Sequence, residues 1–328
     1  MDYVRAGGHR LELKRIDPGV HANEPPGTLI FLHEGLGSAA LWKDFPERVA
    51  QRTGCPAVVY SRYGYGKSDR LERAHSVDYM HREALDTLPE LLSQLAIEDP
   101  ILIGHSDGAS IALIYAGAQR GPLRGLVAMA PHVFVEDVTA ASIAQAKVAF
   151  ETTDLPQRLG RYHDDPVSTF YGWNDIWLHP EFRAWNIEAY LAKIAVPILL
   201  IQGEDDQYGT RAQVDAIARQ VSGPVEVLML DQCRHSPHGD RAEATAEAIA
   251  VCVGKLRYER PVTSDLESVT SDGWRVTGDD VRYLPLQGGG QEGDGGNARI
   301  LGPHPHLDPP LEGEGPVHCV REHSLRSR

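Results

Sequence analysis

With 328 residues, 42% of them hydrophobic and 24% charged, the chain can bury a substantial core in one large or two modest domains. A formal net charge of −14 without any Lys/Arg stripe argues against nucleic acid as a partner, because phosphate binding needs clustered cations. The polar start Met1–Lys14 lacks the apolar run of a signal peptide, and no stretch reaches the ~18 apolar residues of a membrane span. The cysteines (Cys55, Cys233, Cys252, Cys319) show no C-x-x-C spacing, so a cytoplasmic protein outside any membrane is expected.

From Leu11 to about Leu256, short apolar runs alternate with amphipathic stretches. Thr28–His33, Ala57–Arg62, Ile101–His105, Leu126–Ala130, Ile198–Gln202 and Val225–Leu230 are short and rich in Val, Ile and Leu, the pattern of buried parallel strands. Between them, Tyr79–Leu95, Ala109–Gln119, Arg211–Gln220 and Arg241–Lys255 read as helices. This alternation predicts an α/β fold with a mostly parallel, doubly wound sheet. Residues 1–131 and 191–256 are expected to form its core.

Two segments break the rhythm. His132–Tyr190 carries 10 of the 23 aromatics, which points to a helical cap with an apolar underside over the carboxyl ends of the strands. In 257–328, Gly and Pro make up 18 of 72 residues and no periodicity persists, so a mostly disordered tail is expected. Its Pro305–Gly315 stretch reads like translated non-coding repeat, and its histidines lack a framework for metal.

Gly104-His105-Ser106-Asp107-Gly108 is G-x-S-x-G between an apolar run and a helical one, the strand–turn–helix setting the motif requires. The turn must expose the Ser106 hydroxyl above the sheet, and flanking glycines remove side chains that would collide there. An isolated serine is a poor nucleophile near neutral pH, so a base must stand within hydrogen-bond reach. For this motif the order along the chain is serine, acid, histidine. Downstream, Gly203-Glu204-Asp205-Asp206 and Asp231-Gln232-Cys233-Arg234-His235 each follow a strand, so both reach the sheet edge where ligands of open α/β sheets bind. His235 is the expected base, and His238 reads as a helix-capping or surface residue. Spacing from Gly203 favours Asp206 as the orienting acid, with Asp205 the runner-up. The loop His33-Glu34-Gly35 offers the Gly35 N–H as one oxyanion donor, and the Asp107 N–H should be the second.

These residues, together with the Arg62–Ser68 turn, resemble the α/β-hydrolase superfamily in its capped, esterase-like branch, over roughly Leu11–Leu256. The resemblance implies a Ser-His-Asp triad, a lid, and cofactor-free hydrolysis of esters, thioesters or activated C–C bonds in a small-molecule substrate. Association of copies of the chain stays open. Two positions depart from the family's pattern. Glu34 stands where glycine is usual, and is expected to pair with Arg62 and shape the pocket. Arg234 stands where glycine usually precedes the histidine, and is expected to restrict the loop or depress the histidine pKa. Trp173, Trp177 and Trp185 are the first candidates for pocket walls. Two rivals are a C–C hydrolase of ring-cleavage products, with Arg62, Arg161 or Arg183 meeting a substrate carboxylate, and a non-catalytic ligand cup. Gly66-Lys67-Ser68 is no phosphate loop, since position 61 holds serine rather than glycine. No zinc spacing is present, and no cofactor or metal is implied.

Overall fold

The computed structural model describes residues 2–19, 25–256 and 281–283. The chain opens with a hairpin of β1 (Asp2–Ala6) and β2 (His9–Ile16), joined by Gly7-Gly8. Both glycines have positive φ, +60° and +79°, the backbone hand that a two-residue hairpin turn requires. β3 (Thr28–Leu32), β4 (Ala57–Tyr60), β5 (Pro100–His105), β6 (Gly125–Met129), β7 (Ile198–Gly203) and β8 (Val225–Leu230) follow, and β9 (Val281–Tyr283) closes the sheet. The order is β1-β2-β4-β3-β5-β6-β7-β8-β9. The pairs β1–β2 and β2–β4 are antiparallel and the remaining pairs are parallel.

The central strands read as unbroken apolar runs because helices cover both faces. Successive residues then feed two separate cores. Leu29, Phe31, Ile101 and Ile103 pack with Trp42 and helices α1 (Phe45–Thr53) and α11 (Ala242–Lys255). Ile30, Leu32 and Leu102 pack on the other face with α2 (Tyr79–Arg82), α3 (Leu88–Gln94) and α4 (Asp107–Ala118). α4 is apolar nearly all round and buried from Asp107 to Gly117, as a central helix must be.

Tyr79–Leu95 does not form the single regular helix expected. A π-turn, Glu83–Thr87, joins α2 to α3. Pro89 has no N–H for the Leu85 carbonyl, and the wider turn accommodates its ring; the freed carbonyl accepts from Arg120 Nε at 3.2 Å.

Between β6 and β7 lie α5 (Asp137–Thr152), α6 (Leu155–Leu159), α7 (Pro166–Trp177), a 3₁₀ turn at Pro180–Ala184 and α8 (Glu188–Leu191). The start of α7 is fixed locally: Asp165 accepts the Ser168 N–H at 3.0 Å and Pro166 takes the first helical position. The many aromatics here chiefly pack these helices on one another, as in the Phe150–Phe170 stack at 3.9 Å. Three further helices complete the chain: α9 (Arg211–Gln220), the single turn α10 (Pro237–Asp240) and α11. Of the stretch 257–328, the expectation of a tail lies outside the described residues except at Val281–Tyr283, where a strand pairs with β8 instead. Among the described residues, no helix is long and apolar enough to cross a membrane.

Candidate active site

β5 delivers Ser106 on a strained turn. Its φ of 51° and ψ of −117° are unusual for a residue with a side chain. The turn is held by the Ser106 N–H donating to Met129 O at 2.9 Å, while Ser106 O accepts from the Ala109 and Ser110 N–H groups at 2.9 and 3.0 Å. A Cβ on Gly108 would lie 2.0 Å from the Leu32 carbonyl oxygen, so only glycine lets α4 approach β3 this closely.

The loops after β7 and β8 are stitched to each other. Asp205 N–H donates to Cys233 O at 3.0 Å. A Cβ on Gly203 would meet Cys233 O at 2.1 Å and Arg234 O at 2.3 Å, which is why the strand ends in glycine. This approach brings His235 Nδ1 to 2.8 and 3.0 Å from the two Asp206 carboxylate oxygens, and His235 Nε2 to 2.9 Å from Ser106 Oγ. A carboxylate only accepts, so Nδ1 carries the proton and Nε2 turns its lone pair to the hydroxyl. Asp206 also accepts the Tyr208 and Gly209 N–H groups at 2.8 and 3.2 Å. Burial alone would raise the Asp206 carboxyl, but the charge and hydrogen bond of His235 outweigh it and hold it below its ordinary value.

The Glu34–Gly35 peptide is oriented from behind. Glu34 O accepts from His33 Nδ1 at 2.7 Å, Arg62 Nη2 at 3.1 Å and Gly37 N at 3.1 Å. In a trans peptide, N–H and C=O point opposite ways, so the Gly35 N–H faces away from these donors. Asp107 is the first residue of α4, and its N–H is one of those without an intrahelical partner. Gly35, Ser106 and Asp107 border one cavity.

Glu34 does not pair with Arg62 as the sequence reading expects. Its carboxylate lies 3.3 Å from His105 Nδ1, while Arg62 reaches the Glu34 main-chain oxygen and pairs with the Asp107 carboxylate at 3.7 Å. Asp107 also accepts from Tyr79 Oη at 2.6 Å. Nor does the Arg234 side chain lie on the imidazole: its N–H and Nε both turn to Asp240, at 2.9 and 3.9 Å. His238 is half-buried rather than a plain surface residue. Its ring packs 4.6 Å from Trp42 and 4.8 Å from His105, and burial pushes it down to about 3.

The cavity measures about 120 Å³, on the scale of the ~150 Å³ apolar cavity that admits benzene. Trp173 and Trp177 line it with Leu36, Leu41, Ile143, Ala146, Leu155 and Leu159. Trp185 does not; it stacks on Phe182 at 5.4 Å, behind Trp177. Among the described residues, neither Arg nor Lys borders the cavity. Arg62 is shut behind Asp107, Arg183 pairs with Asp137 on the surface, and Arg161 is exposed.

Residues 29–248, well over half of the chain, match the alpha/beta hydrolase family. The chain belongs to that family. This hydrolase is 24% identical over 242 residues to the serine hydrolase BPHL of Mus musculus, a match covering 72% of this chain and 80% of the relative. It is 24% identical over 212 residues to the bifunctional esterase/perhydrolase DCH of Acinetobacter calcoaceticus, covering 55% and 74%. Two solved structures share its fold. The 2-hydroxy-6-oxo-6-phenylhexa-2,4-dienoate hydrolase of Rhodococcus sp. strain RHA1 gives a TM-score of 0.65 at 14% identity, covering 76% of this chain and 96% of that one. An esterase from Exiguobacterium antarcticum gives 0.61 at 18%, covering 77% and 98%.

Several residues of the hydrolase's site escape a sequence reading. His132 lines the cavity, with its ring 5.6 Å from His235 and 5.2 Å from Trp177. Its place just past β6, at the same sheet edge as the other loops, is the signal that could have found it. His163, between α6 and α7, accepts the Gly66 N–H at 2.9 Å and donates to Leu36 O at 3.0 Å, tying this region to the loop that carries Gly35. Tyr208 packs its ring 4.8 Å from His235. Among the described residues, no group of three or more His, Cys, Asp or Glu side chains is arranged to hold a metal ion.

Proposed function

We propose that this hydrolase cleaves small to medium apolar carboxylic esters or thioesters through an acyl-enzyme on Ser106. The observation that carries the reading is the continuous chain from Ser106 Oγ to His235 Nε2 at 2.9 Å and from His235 Nδ1 to Asp206 at 2.8 Å. In this reading His235 takes the hydroxyl proton as Ser106 attacks the acyl carbon. Asp206 keeps the imidazole in the required tautomer and stabilises the imidazolium without taking a proton. The N–H groups of Gly35 and Asp107 hold the oxyanion, each worth on the order of 3 kcal/mol of transition-state stabilisation. His235 then protonates the leaving alcohol or thiol, and a water that it activates releases the acid.

The cavity's walls speak for the substrate. Apolar side chains line the cavity beside the polar groups around Ser106, it encloses about 120 Å³, and among the described residues Glu34 but no Arg or Lys borders it, so a neutral short acyl group fits better than a carboxylate-bearing ring-cleavage product. Helices α5 to α7 act as a cap over this cavity, with Trp173 and Trp177 as its contacts. Purified protein should release p-nitrophenol from acetate and butyrate esters, and Ser106→Ala should abolish it. Turnover that survives Ser106→Ala defeats the mechanism, and a folded wild type that binds but never turns over such esters supports a non-catalytic ligand cup instead.

A further inference from the structure

Beneath Ser106, the residue just before it makes two contacts that fix its protonation. His105 Nε2 lies 2.7 Å from the main-chain oxygen of His235. A carbonyl can only accept, so Nε2 carries a proton. His105 Nδ1 faces Glu34 Oε2 at 3.3 Å. With Nε2 protonated, a neutral ring would turn a lone pair toward a carboxylate, so the contact requires a second proton in the pair. The arrangement is an imidazolium against a carboxylate, with His105 1% exposed and the Glu34 side chain 24% exposed toward the cavity.

The other ionisable groups around His105 are His235 and His238 from beyond β8, Asp206 from beyond β7 and His132 from beyond β6. Of these only Asp206 is anionic, and His235 already engages it. Burial alone would drive His105 neutral, yet the bond and charge of Glu34, with the His235 carbonyl, raise it above the ordinary histidine value. Burial would likewise raise Glu34, but His105 holds it well below the usual carboxylate range.

We propose, resting on the serine-hydrolase reading above, that protonated His105 is a positioning residue for hydrolysis. It grips the His235 loop through the carbonyl, and it cancels the Glu34 charge beside the developing oxyanion. Loss of the Nδ1 proton leaves an unpaired carboxylate next to Gly35 while Nε2 still holds the His235 carbonyl, so turnover falls on the alkaline side for a reason unconnected with Ser106 or His235.

The test is the pH profile of kcat for a short p-nitrophenyl ester in wild type, Glu34→Gln, His105→Gln and the double variant, with the His105 ring followed by NMR. Wild type should lose activity on an alkaline limb that coincides with the His105 titration, and Glu34→Gln should flatten that limb whatever its plateau. His105→Gln should lower kcat at neutral pH by about 10²-fold, the scale of one lost oxyanion contact, because Glu34 is left unpaired beside Gly35, and adding Glu34→Gln should recover much of that loss. A limb that persists in Glu34→Gln, or a double variant no better than His105→Gln, overturns the proposal. If wild type turns over no acyl ester, the serine-hydrolase reading fails, and NMR still decides the pair: an imidazole that titrates below the ordinary histidine value overturns it.

Discussion

Replacing His163 by glutamine should make the fold less sensitive to acid. His163 is 3% exposed; its Nδ1 accepts the Gly66 N–H and its Nε2 donates to Leu36 O, so the native fold needs it neutral. Burial lowers it to about 4, against an ordinary value near 6.5. The folded value is depressed, so the unfolded chain binds the extra proton first, and stability drains away as pH falls below 6.5 toward 4. Between pH 7.5 and pH 5 the linkage integral comes to about 2 kcal/mol for this one side chain, a large share of the ~5–15 kcal/mol that holds a domain together. His132, 2% exposed and lowered to about 3 by burial, adds a similar cost in the same direction. His105 and the buried carboxyls Asp107 and Glu83, all raised, work the other way and alter the wild-type total. They cancel in the difference between wild type and His163→Gln, whose amide can accept from Gly66 and donate to Leu36 without titrating. Urea unfolding of both proteins at pH 7.5 and pH 5 measures that difference. The variant should gain about 2 kcal/mol on wild type between the two conditions. A gap that stays constant between the two pH values refutes the reasoning.

Asp206→Asn keeps the shape but presents an N–H₂ to His235 Nδ1, forcing the tautomer that points a proton at Ser106; kcat for p-nitrophenyl acetate should fall on the order of 10³–10⁴-fold with little change in KM. Ala146→Phe pushes a ring into the cavity of about 120 Å³, so the ratio of butyrate to acetate turnover should drop about tenfold, and an unchanged ratio would place the acyl group elsewhere. Gly108→Ala drives a methyl to 2.0 Å from Leu32 O on a strand that cannot retreat, costing about 3 kcal/mol by thermal or urea unfolding.

Where the geometry of the candidate site depends on local chain order, it could be read ahead of the structure. The elbow at Ser106, and Asp206 and His235 just past their strands, follow from apolar runs and the residues that end them. The Glu34 partner could not be read that way, because it depends on sheet order. β3 lies between β4 and β5, so Glu34 stands beside both Arg62 and His105, and only the capture of Arg62 by Asp107 decides between them. Trp185 lies outside the cavity lining for a related reason: aromatic content marks a helical segment, but the phase of each short helix decides which rings face the cavity. The first hairpin hides behind charged alternation, and Gly7-Gly8 was its one visible signal. His238 looked superficial because its loop is polar, yet it packs against Trp42.

The contacts that join the cap to the floor bear on how this scaffold could be re-engineered. His163 bonds Gly66 and Leu36, Thr169 Oγ1 donates to Gly64 O at 2.7 Å, and Trp177 Nε1 donates at 3.1 Å to the Tyr79 hydroxyl that itself holds Asp107. A cap transplanted from another hydrolase to change selectivity would have to bring matching anchors at all three points. Without them it would leave buried polar groups unpaired at about 1–3 kcal/mol each, and it would release the loop that carries Gly35 and the first residue of α4, Asp107. If the acyl-enzyme reading holds, changing selectivity through this segment would therefore change rate as well.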